Sequence, residues 1–409
     1  MTAAPPSTVV DALRAVVGTG HVLVEDDLRA PYETDWTRRY TGRAAAVVRP
    51  ADTAAAQVTV GAGATLEQVQ RHARAAGLDV GLDLAARAQA TVGGLIATNA
   101  GGVRVPRHGA MRAQVAGVEA VLADGTVLRR LGGLAKDNTG YDLAGLLCGS
   151  EGTLAVLTAA RLRLVPVPAA RAVALVAVAD TVGALDLLAA ARAGLTGLST
   201  VELFYPDGMA LVRRYARLGE VFPDLSPPAG AYLLLECEGR ADPSDELLAV
   251  LGGCAAVRDA TVAADAAGRA RLWAYRERHT EAIGAAGVPV KLDVCVPLAA
   301  LPDLVDALPA AVRAAAPAAE LIVFGHLGEA NLHVNVLAAS GREEAVTGAV
   351  LGLVAALGGA ISSEHGIGRA KAHWLYLSRT PAEIAAMRAV KAALDPYGLL
   401  SPGVLFPAG

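Results

Sequence analysis

The chain has 409 residues, a formal net charge of −4 and 54% apolar residues, enough for two or three domains with sizeable cores. Only four of its 36 basic residues are lysines, and no basic run is interleaved with aromatic residues, which argues against nucleic-acid binding. None of the four cysteines forms a CxxC pair, so neither an iron–sulfur cluster nor a disulfide framework is indicated.

The start of the sequence lacks the basic residues and the apolar run of a signal peptide. The longest apolar region, 172–193, is interrupted by Asp180 and Asp186, so no membrane span is predicted. These observations together predict a soluble cytoplasmic protein.

The first 77 residues predict short elements of both kinds. Residues 8–30 indicate a short helix and a connector, 44–50 a buried strand that ends at Pro50, and 57–61 a second strand. A capping-box pattern at 65–68 then begins a helix that Gly77 ends.

Glycine-rich turns alternate with strands over residues 90–165. Strands are predicted over 115–122 and 126–131, joined by a turn at Asp124-Gly125. The segment 91–102 is rich in glycine at a candidate helix start, where exposed backbone N–H groups suit the binding of a pyrophosphate. It does not match GxGxxG, and by physics alone these glycines are equally well explained as ordinary turns.

The segment Val165-Pro-Val-Pro168 predicts a domain boundary. Strands and Ala-rich helices alternate after it, which predicts an α+β fold whose second sheet has helices on one side. The predicted strands in this part cover residues 172–178, 232–236, 290–296 and 321–324.

Two segments near the C-terminus concentrate histidines in a chain that has only eight. Residues 321–326 and 332–336 predict a hairpin in which His326 and His333 face each other, with Asn335 on the face of His333. Glu364 and His365 follow a strand-like stretch at 360–363, and adjacent residues there point in different directions.

Two histidines and one carboxylate are the donor set of a catalytic metal site with open positions. The set suits Zn²⁺ but also Mn, Fe or Co. A bound cation lowers the pKa of a substrate hydroxyl, and a free histidine then accepts the proton. The alternative interpretation is that the histidines are polar residues in glycine-rich turns.

Upstream, residues 273–280 predict a helix that places Arg276 and Thr280 on one face. Lys291 begins the next predicted strand. An arginine, a lysine and a hydroxyl suit a bound carboxylate, although Glu277 and Arg278 equally suggest a solvated helix face.

Five segments together resemble the FAD-linked oxidases of the vanillyl-alcohol-oxidase (PCMH) type, in particular the D-2-hydroxyacid dehydrogenases of the D-2-hydroxyglutarate branch. The resemblance extends from about residue 44 to the C-terminus. The segments are 92–102, 136–143, 149–154, 325–335 and 364–368.

The resemblance implies a role for each matching residue. His326, His333 and Glu364 would bind the metal, and His365 would be the general base. Arg276, Thr280, Lys291 and Asn335 would bind substrate carboxylates, which favours a diacid such as D-2-hydroxyglutarate or D-malate. The residues that would line FAD are Thr91, Gly93, Gly94, Thr98, Asn99, Gly101, Gly102, Gly109, Glu151, Gly152 and Thr153.

The implied reaction gives a 2-oxo acid and passes electrons to an electron-transfer flavoprotein or a quinone; a homodimer is a further expectation. The implied domains are a PCMH-type FAD domain (1–168), a substrate and metal domain (169–380), and a segment that returns to the FAD domain (381–409).

The chain departs from this family between Pro50 and Gln57, where only six residues stand. Relatives have a helix, a strand and the FAD diphosphate loop at this place, so the FAD domain is expected to be shortened near 51–57. This departure makes a flavin-free remnant that acts as a binding subunit one alternative. A D-lactate or glycolate dehydrogenase of the same family is a separate alternative.

Overall fold

The structure is a computed structural model that describes residues 11, 14, 22–24, 47–48, 57–134 and 136–407. The helix and connector predicted over 8–30, the strand over 44–50 and the shortened segment at 51–57 lie largely outside these residues. Of them the structure describes a short antiparallel pair, β1 (Val22–Leu23) and β2 (Val47–Val48). Among the described helices, none has the length and apolarity that a membrane crossing needs.

The first large sheet has five antiparallel strands in the order β3–β7–β5–β6, with β4 paired to β7. Short helices lie between its strands. The strands are β3 (Gln57–Gly61), β4 (Leu78–Val80), β5 (Val115–Val121), β6 (Val127–Arg130) and β7 (Val156–Pro166). The helices are α1 (Leu66–Arg74), α2 (Val92–Thr98), α3 (Val105–His108), α4 (Met111–Gln114) and α5 (Leu143–Leu147).

Local sequence signals are confirmed in this domain. Thr65 and Gln68 form the predicted capping box at the start of α1, which satisfies two N–H groups that the helix itself leaves unpaired. Asp124 Oδ1 accepts a hydrogen bond of 2.8 Å from Thr126 N in the turn between β5 and β6. Gly125 there has φ +88°, a conformation that favours glycine.

The second sheet has seven antiparallel strands in the order β11–β8–β10–β9–β13–β14–β12. It confirms the strands predicted at 172–178, 232–236, 290–296, 321–324 and 332–336, and it adds two that were not predicted, β9 and β11. The strands are β8 (Ala170–Val178), β9 (Leu198–Phe204), β10 (Ala231–Gly239), β11 (Val257–Ala263), β12 (Val290–Cys295), β13 (Glu320–His326) and β14 (Asn331–Leu337).

Helices cover both faces of this sheet, so the prediction of helices on one side was wrong. One face is covered by α6, α8, α11 and α12. Alternate strand residues such as Leu292 and Val334 supply buried apolar side chains on this face. α7, α9 and α10 cover only part of the other face, because the strands there present polar side chains near β12–β14. The helices are α6 (Thr181–Gly194), α7 (Pro206–Ala216), α8 (Ser244–Gly253), α9 (Ala266–Glu277), α10 (His279–Ala286), α11 (Leu301–Ala315) and α12 (Glu343–Ala356).

The last helix, α13 (Pro381–Leu394), packs on the first domain. Val390 and Leu394 contact the apolar core between β3, β5 and β7. Lys391 Nζ donates hydrogen bonds of 2.8 Å to the carbonyl oxygens of Thr153 and Leu400. The C-terminal part of the chain therefore returns to the first domain. The two sheets are also joined by the short segment between the end of β7 at Pro166 and the start of β8 at Ala170.

Candidate active site

Strand pairing gathers the predicted metal and substrate residues on one face of the second sheet. The register places His326 beside Asn331 on β14 and beside Glu202 on β9. His333 lies between Phe324 on β13 and Asp293 on β12. His326 and His333 are therefore diagonal neighbours in the hairpin. The prediction that they are direct cross-strand partners was wrong.

The three predicted metal ligands lie within reach of one ion. The Nε2 atoms of His326 and His333 are 3.4 Å apart, and Glu364 Oε2 is 3.7 Å from His326 Nε2. Two imidazole nitrogens bound tetrahedrally to one Zn²⁺ are separated by about 3.4 Å, given Zn–N bonds of about 2.0–2.1 Å. The donor atoms therefore fit a cation of this kind.

A buried carboxylate stands behind each ligand histidine. His326 Nδ1 donates a hydrogen bond of 2.7 Å to Glu202 Oε1, and His333 Nδ1 lies 3.6 Å from Asp293 Oδ1. The hydrogen bond to Glu202 keeps the proton on Nδ1 of His326 and leaves its Nε2 for a metal, whereas the separation at His333 is too long for a hydrogen bond.

Asp293 also fixes the loop that supplies Glu364 and His365. Its Oδ2 accepts hydrogen bonds from the backbone N–H groups of Ser363, Glu364 and His365 at 2.7–3.0 Å. Its Oδ1 accepts one of 2.8 Å from Asn331 Nδ2. These bonds turn the chain away from the sheet, so the strand predicted at 360–363 is only a single bridge between Ala360 and Cys295.

The electrostatics of the site favour a positive charge among the ligands. Burial opposes protonation of His326, but the Glu202 and Glu364 carboxylates raise its pKa to about 10. Burial and the adjacent charge of His326 lower the pKa of His333 to about 3. Burial opposes ionisation of Glu364, yet His326 lowers its pKa to about 2. In the metal-free protein a proton on His326 therefore balances the carboxylates.

His365, the predicted base, is exposed beside this set. Its ring stacks on that of His333, with centroids 5.6 Å apart and planes 14° from parallel. Glu364 Oε2 lies 3.7 Å from His326 Nε2, whereas a ring nitrogen of His365 lies within 4.8 Å of donor atoms of His333 and Asp293.

Three of the four predicted carboxylate-binding residues, Asn335, Lys291 and Arg276, lie farther along the same face. Asn335 is buried opposite Lys291 on β12, and burial lowers the pKa of Lys291. Arg276 is buried, with Nη2 2.5 Å from Glu202 Oε2 and the guanidinium 4.6 Å from the Phe324 ring centroid. Thr280 is exposed on α10.

The helix predicted over 273–280 is divided at Arg278. His279 Nδ1 lies 3.0 Å from the carbonyl oxygen of Arg276. In a continuous helix that oxygen would instead accept a hydrogen bond from the backbone N–H of Thr280. Burial lowers the pKa of His279 to about 3. The single-helix prediction was therefore wrong at this residue.

The predicted flavin residues form a turn-rich region next to the metal ligands. Thr91 caps α2 by accepting a hydrogen bond of 3.2 Å from Gly94 N, and Thr98 Oγ1 donates to the Gly94 carbonyl. Gly93 packs on Ala62, which a Cβ would approach to 2.9 Å. Positive φ values occur at Asn99, Gly102, Gly109, Glu151 and Gly152, and Thr153 Oγ1 is buried against the Ser150 carbonyl at 2.7 Å.

Two carboxylates join this region to the metal loop. Glu364 Oε1 accepts a hydrogen bond of 2.6 Å from Gly102 N. Glu151 Oε1 and Oε2 accept hydrogen bonds of 2.8 and 2.7 Å from the N–H groups of Ile367 and Gly368. A predicted metal ligand thus contacts a predicted flavin-lining segment directly.

We expect Gly101→Ala to weaken metal binding without unfolding the protein. A Cβ on Gly101 would lie 2.2 Å from Glu364 Oε1, so the carboxylate must move away from the two histidines. Zinc affinity measured by calorimetry should fall about 10-fold or more. Gly284→Ala, where a Cβ meets nothing within 4 Å, is the control, and equal affinities for both variants would contradict this contact.

Two functional residues were not predicted from the sequence. Glu202 lies on the unpredicted strand β9, and Asp293 lies on a predicted strand but was not singled out. Each is an acidic residue with apolar neighbours in a strand, and each is almost wholly buried. That pattern is unusual, because a buried carboxylate is rarely tolerated without partners.

Sequence comparison places these features among known proteins. The chain matches the family "FAD linked oxidases, C-terminal domain" over residues 167–405 and the family "FAD binding domain" over residues 11–130. It is 39% identical over 360 residues to the mitochondrial D-2-hydroxyglutarate dehydrogenase of Bos taurus, covering 85% of this chain and 64% of that protein. Against the D-2-hydroxyglutarate dehydrogenase of Xanthomonas citri pv. viticola it is 36% identical over 362 residues, covering 85% and 75%.

The chain thus spans less than two thirds of the bovine protein's length. Among solved structures it resembles 4-ethylphenol oxidase from Gulosibacter chungangensis, with a TM-score of 0.69, 15% identity and coverage of 100% and 98%. It also resembles p-cresol methylhydroxylase, with a TM-score of 0.67, 16% identity and coverage of 98% and 97%. These two likenesses confirm the predicted PCMH-type fold.

Proposed function

Since the chain belongs to the family of FAD-linked oxidases, we propose that it oxidises a D-2-hydroxy acid to the 2-oxo acid with FAD and a divalent metal ion. The observation that supports this most is the contact between Glu364 and Gly102 N. In this contact a predicted metal ligand meets a segment predicted to line the flavin. An ion at the substrate hydroxyl and a flavin that accepts the hydride would therefore act on the same C–OH group.

His326, His333 and Glu364 would hold the metal ion, because their donor atoms have the spacing that one ion requires. Asp293 is a poor ligand, since its two oxygens already accept four hydrogen bonds. When bound, the ion lowers the pKa of the substrate hydroxyl. Zn²⁺ is the preferred ion for two histidines and a carboxylate, with Mn, Fe and Co as alternatives.

The flavin would be held by Asn99–Gly102 and by the turns at Gly109 and 151–153, which adjoin the metal loop through Glu364 and Glu151. At Gly102, a Cβ would stand 2.2 Å from the Asp83 carbonyl oxygen, so the bare backbone is required there. When bound, FAD accepts the hydride from C2. Only six residues separate Pro50 from Gln57, so other residues would have to hold the diphosphate.

The chain's own residues would then bind the substrate and move a proton. His365 stands exposed beside the donor set, where it can accept the proton of the substrate hydroxyl. Asn335 and Lys291 are opposite each other on the same sheet face and would bind one carboxylate. Arg276 and Thr280 would bind a second, which favours a diacid such as D-2-hydroxyglutarate or D-malate.

A substrate panel with a dye as electron acceptor tests the proposed substrate class. Turnover should be fastest with D-2-hydroxyglutarate or D-malate and slow with the L enantiomers. Rates on D-lactate or glycolate far above those on the diacids would refute the diacid assignment. An electron-transfer flavoprotein or a quinone is the proposed natural acceptor, and a cytoplasmic location and a homodimer stay predictions.

Arg276→Ala should weaken binding of the diacid by about 1–3 kcal/mol, because a charged hydrogen bond to the second carboxylate is lost. KM measured with D-2-hydroxyglutarate should rise more than KM measured with D-lactate, which has no second carboxylate. The neighbouring exposed Arg278, paired with Glu281 at 2.7 Å, provides the control Arg278→Ala. Equal changes on both substrates would argue against this role.

One observation favours a second candidate, a flavin-free binding protein. Only six residues separate Pro50 from Gln57, where relatives have the diphosphate loop. The visible absorbance of the purified protein distinguishes the candidates: a colourless protein that takes up no FAD on incubation would support the second.

A further inference from the structure

Glu202 contacts both halves of the proposed site. The residue is wholly buried on β9. Its Oε1 accepts the 2.7 Å hydrogen bond from His326 Nδ1, and its Oε2 lies 2.5 Å from Arg276 Nη2. One carboxylate therefore joins a proposed metal ligand to a proposed substrate-binding arginine.

The strand explains why this carboxylate faces the site. Side chains alternate along a strand, and the flanking residues Val201 and Leu203 enter the apolar core on the opposite face. Glu202 therefore points to the face of His326, its cross-strand partner. A buried carboxylate is tolerated only when charged partners and hydrogen bonds compensate for lost hydration, and His326 and Arg276 do so here.

The two oxygens of Glu202 each fix the orientation of one neighbouring side chain, His326 on the metal side and Arg276 on the substrate side. On the metal side, the Nδ1–H bond directs the Nε2 lone pair of His326 at the donor set. On the substrate side, Arg276 is held over the Phe324 ring, and its Nε has no hydrogen-bond partner among the described residues. An arginine fixed in advance loses less conformational entropy when it binds an anion.

We propose that Glu202 is a positioning residue that couples metal binding at His326 to the binding of the second substrate carboxylate at Arg276. This inference rests on the proposed function and extends it. A cation at Nε2 makes Nδ1–H a stronger donor, which holds Glu202 and, through it, Arg276. Metal ion and diacid should therefore raise each other's affinity by the same factor, and this factor should be larger than for a monoacid, which contacts the ion but not Arg276.

Calorimetry tests the coupling without turnover. Zinc is titrated into the purified protein with and without D-malate, and then with and without D-lactate. D-malate should increase the zinc affinity of the wild-type protein more than D-lactate does, because only D-malate also contacts Arg276. Glu202→Gln should weaken zinc binding about 10- to 100-fold and reduce the effect of D-malate to that of D-lactate. The control is Glu220→Gln, which removes an exposed carboxylate paired with Arg213.

The outcomes separate this inference from the proposed function. Zinc binding that is unchanged in Glu202→Gln would overturn the inference and leave the proposed function standing. A wild-type protein that binds no zinc would overturn both.

A second measurement needs no variant and covers the case in which Glu202→Gln does not fold. Nitrogen-15 NMR of histidine-labelled, zinc-loaded wild-type protein should show His326 protonated at Nδ1 and metal-bound at Nε2. The opposite tautomer would overturn the role of Glu202.

Discussion

His365→Asn is expected to lower kcat by about 10²- to 10⁴-fold, the usual contribution of a positioned general base. Asparagine keeps a polar side chain of similar reach but cannot accept the proton of the substrate hydroxyl. His365 is exposed and its backbone N–H, not its ring, bonds to Asp293, so the loop should keep its conformation. Zinc affinity should therefore stay within a few-fold of the wild-type value.

The control for this variant is His373→Asn. His373 is also an exposed histidine, paired with Glu344 at 2.9 Å, and its replacement should leave kcat unchanged. If His365→Asn retained wild-type turnover, another group would have to be the base. If it lost zinc instead, His365 would be a ligand and the donor set would need revision.

Asp293→Asn is expected to reduce both stability and metal binding strongly. The carboxylate accepts three backbone N–H groups and the Asn331 amide. Although burial opposes its ionisation, its neighbours His365, His333 and Lys371 and the hydrogen bond from the His365 backbone N–H lower the pKa of Asp293. An amide has one acceptor oxygen and no charge, so the free energy of unfolding should fall by about 3–5 kcal/mol.

Urea unfolding followed by circular dichroism measures this loss, and hydrogen exchange of the Ser363–His365 amides shows where it occurs. Those amides should exchange much faster in the variant. Asp224→Asn, at an exposed carboxylate, should change neither quantity. Unchanged exchange at 363–365 in Asp293→Asn would mean that other contacts hold this loop.

The hairpin of the site was predictable because its signals are local. Apolar residues alternate with His326, His333 and Asn335, so the strands and the face they share follow from a period of two. Glu364 and His365 were assigned different directions for the same reason. The capping box at Thr65 is equally local, and it too was confirmed.

The contacts that organise the site come from distant parts of the sequence. Glu202 and His326 are 124 residues apart, and Glu364 and Gly102 are 262 apart; no local pattern specifies either pair. The break at Arg278 was missed because the competing hydrogen bond from His279 forms only when that side chain is buried between Phe204 and Phe324. The one-sided sheet was a wrong inference from helix positions in sequence, which do not determine the face on which a helix packs.

The most direct test of the proposed function is an anaerobic titration of the FAD-incubated, zinc-loaded protein with D-2-hydroxyglutarate, followed by flavin absorbance. We predict that the visible absorbance of bound flavin disappears with D-2-hydroxyglutarate, not with the L enantiomer, and no longer does so once a chelator has removed the metal. Protein that takes up no flavin, or bound flavin that keeps its absorbance throughout the titration, would contradict the proposed oxidation of a D-2-hydroxy acid.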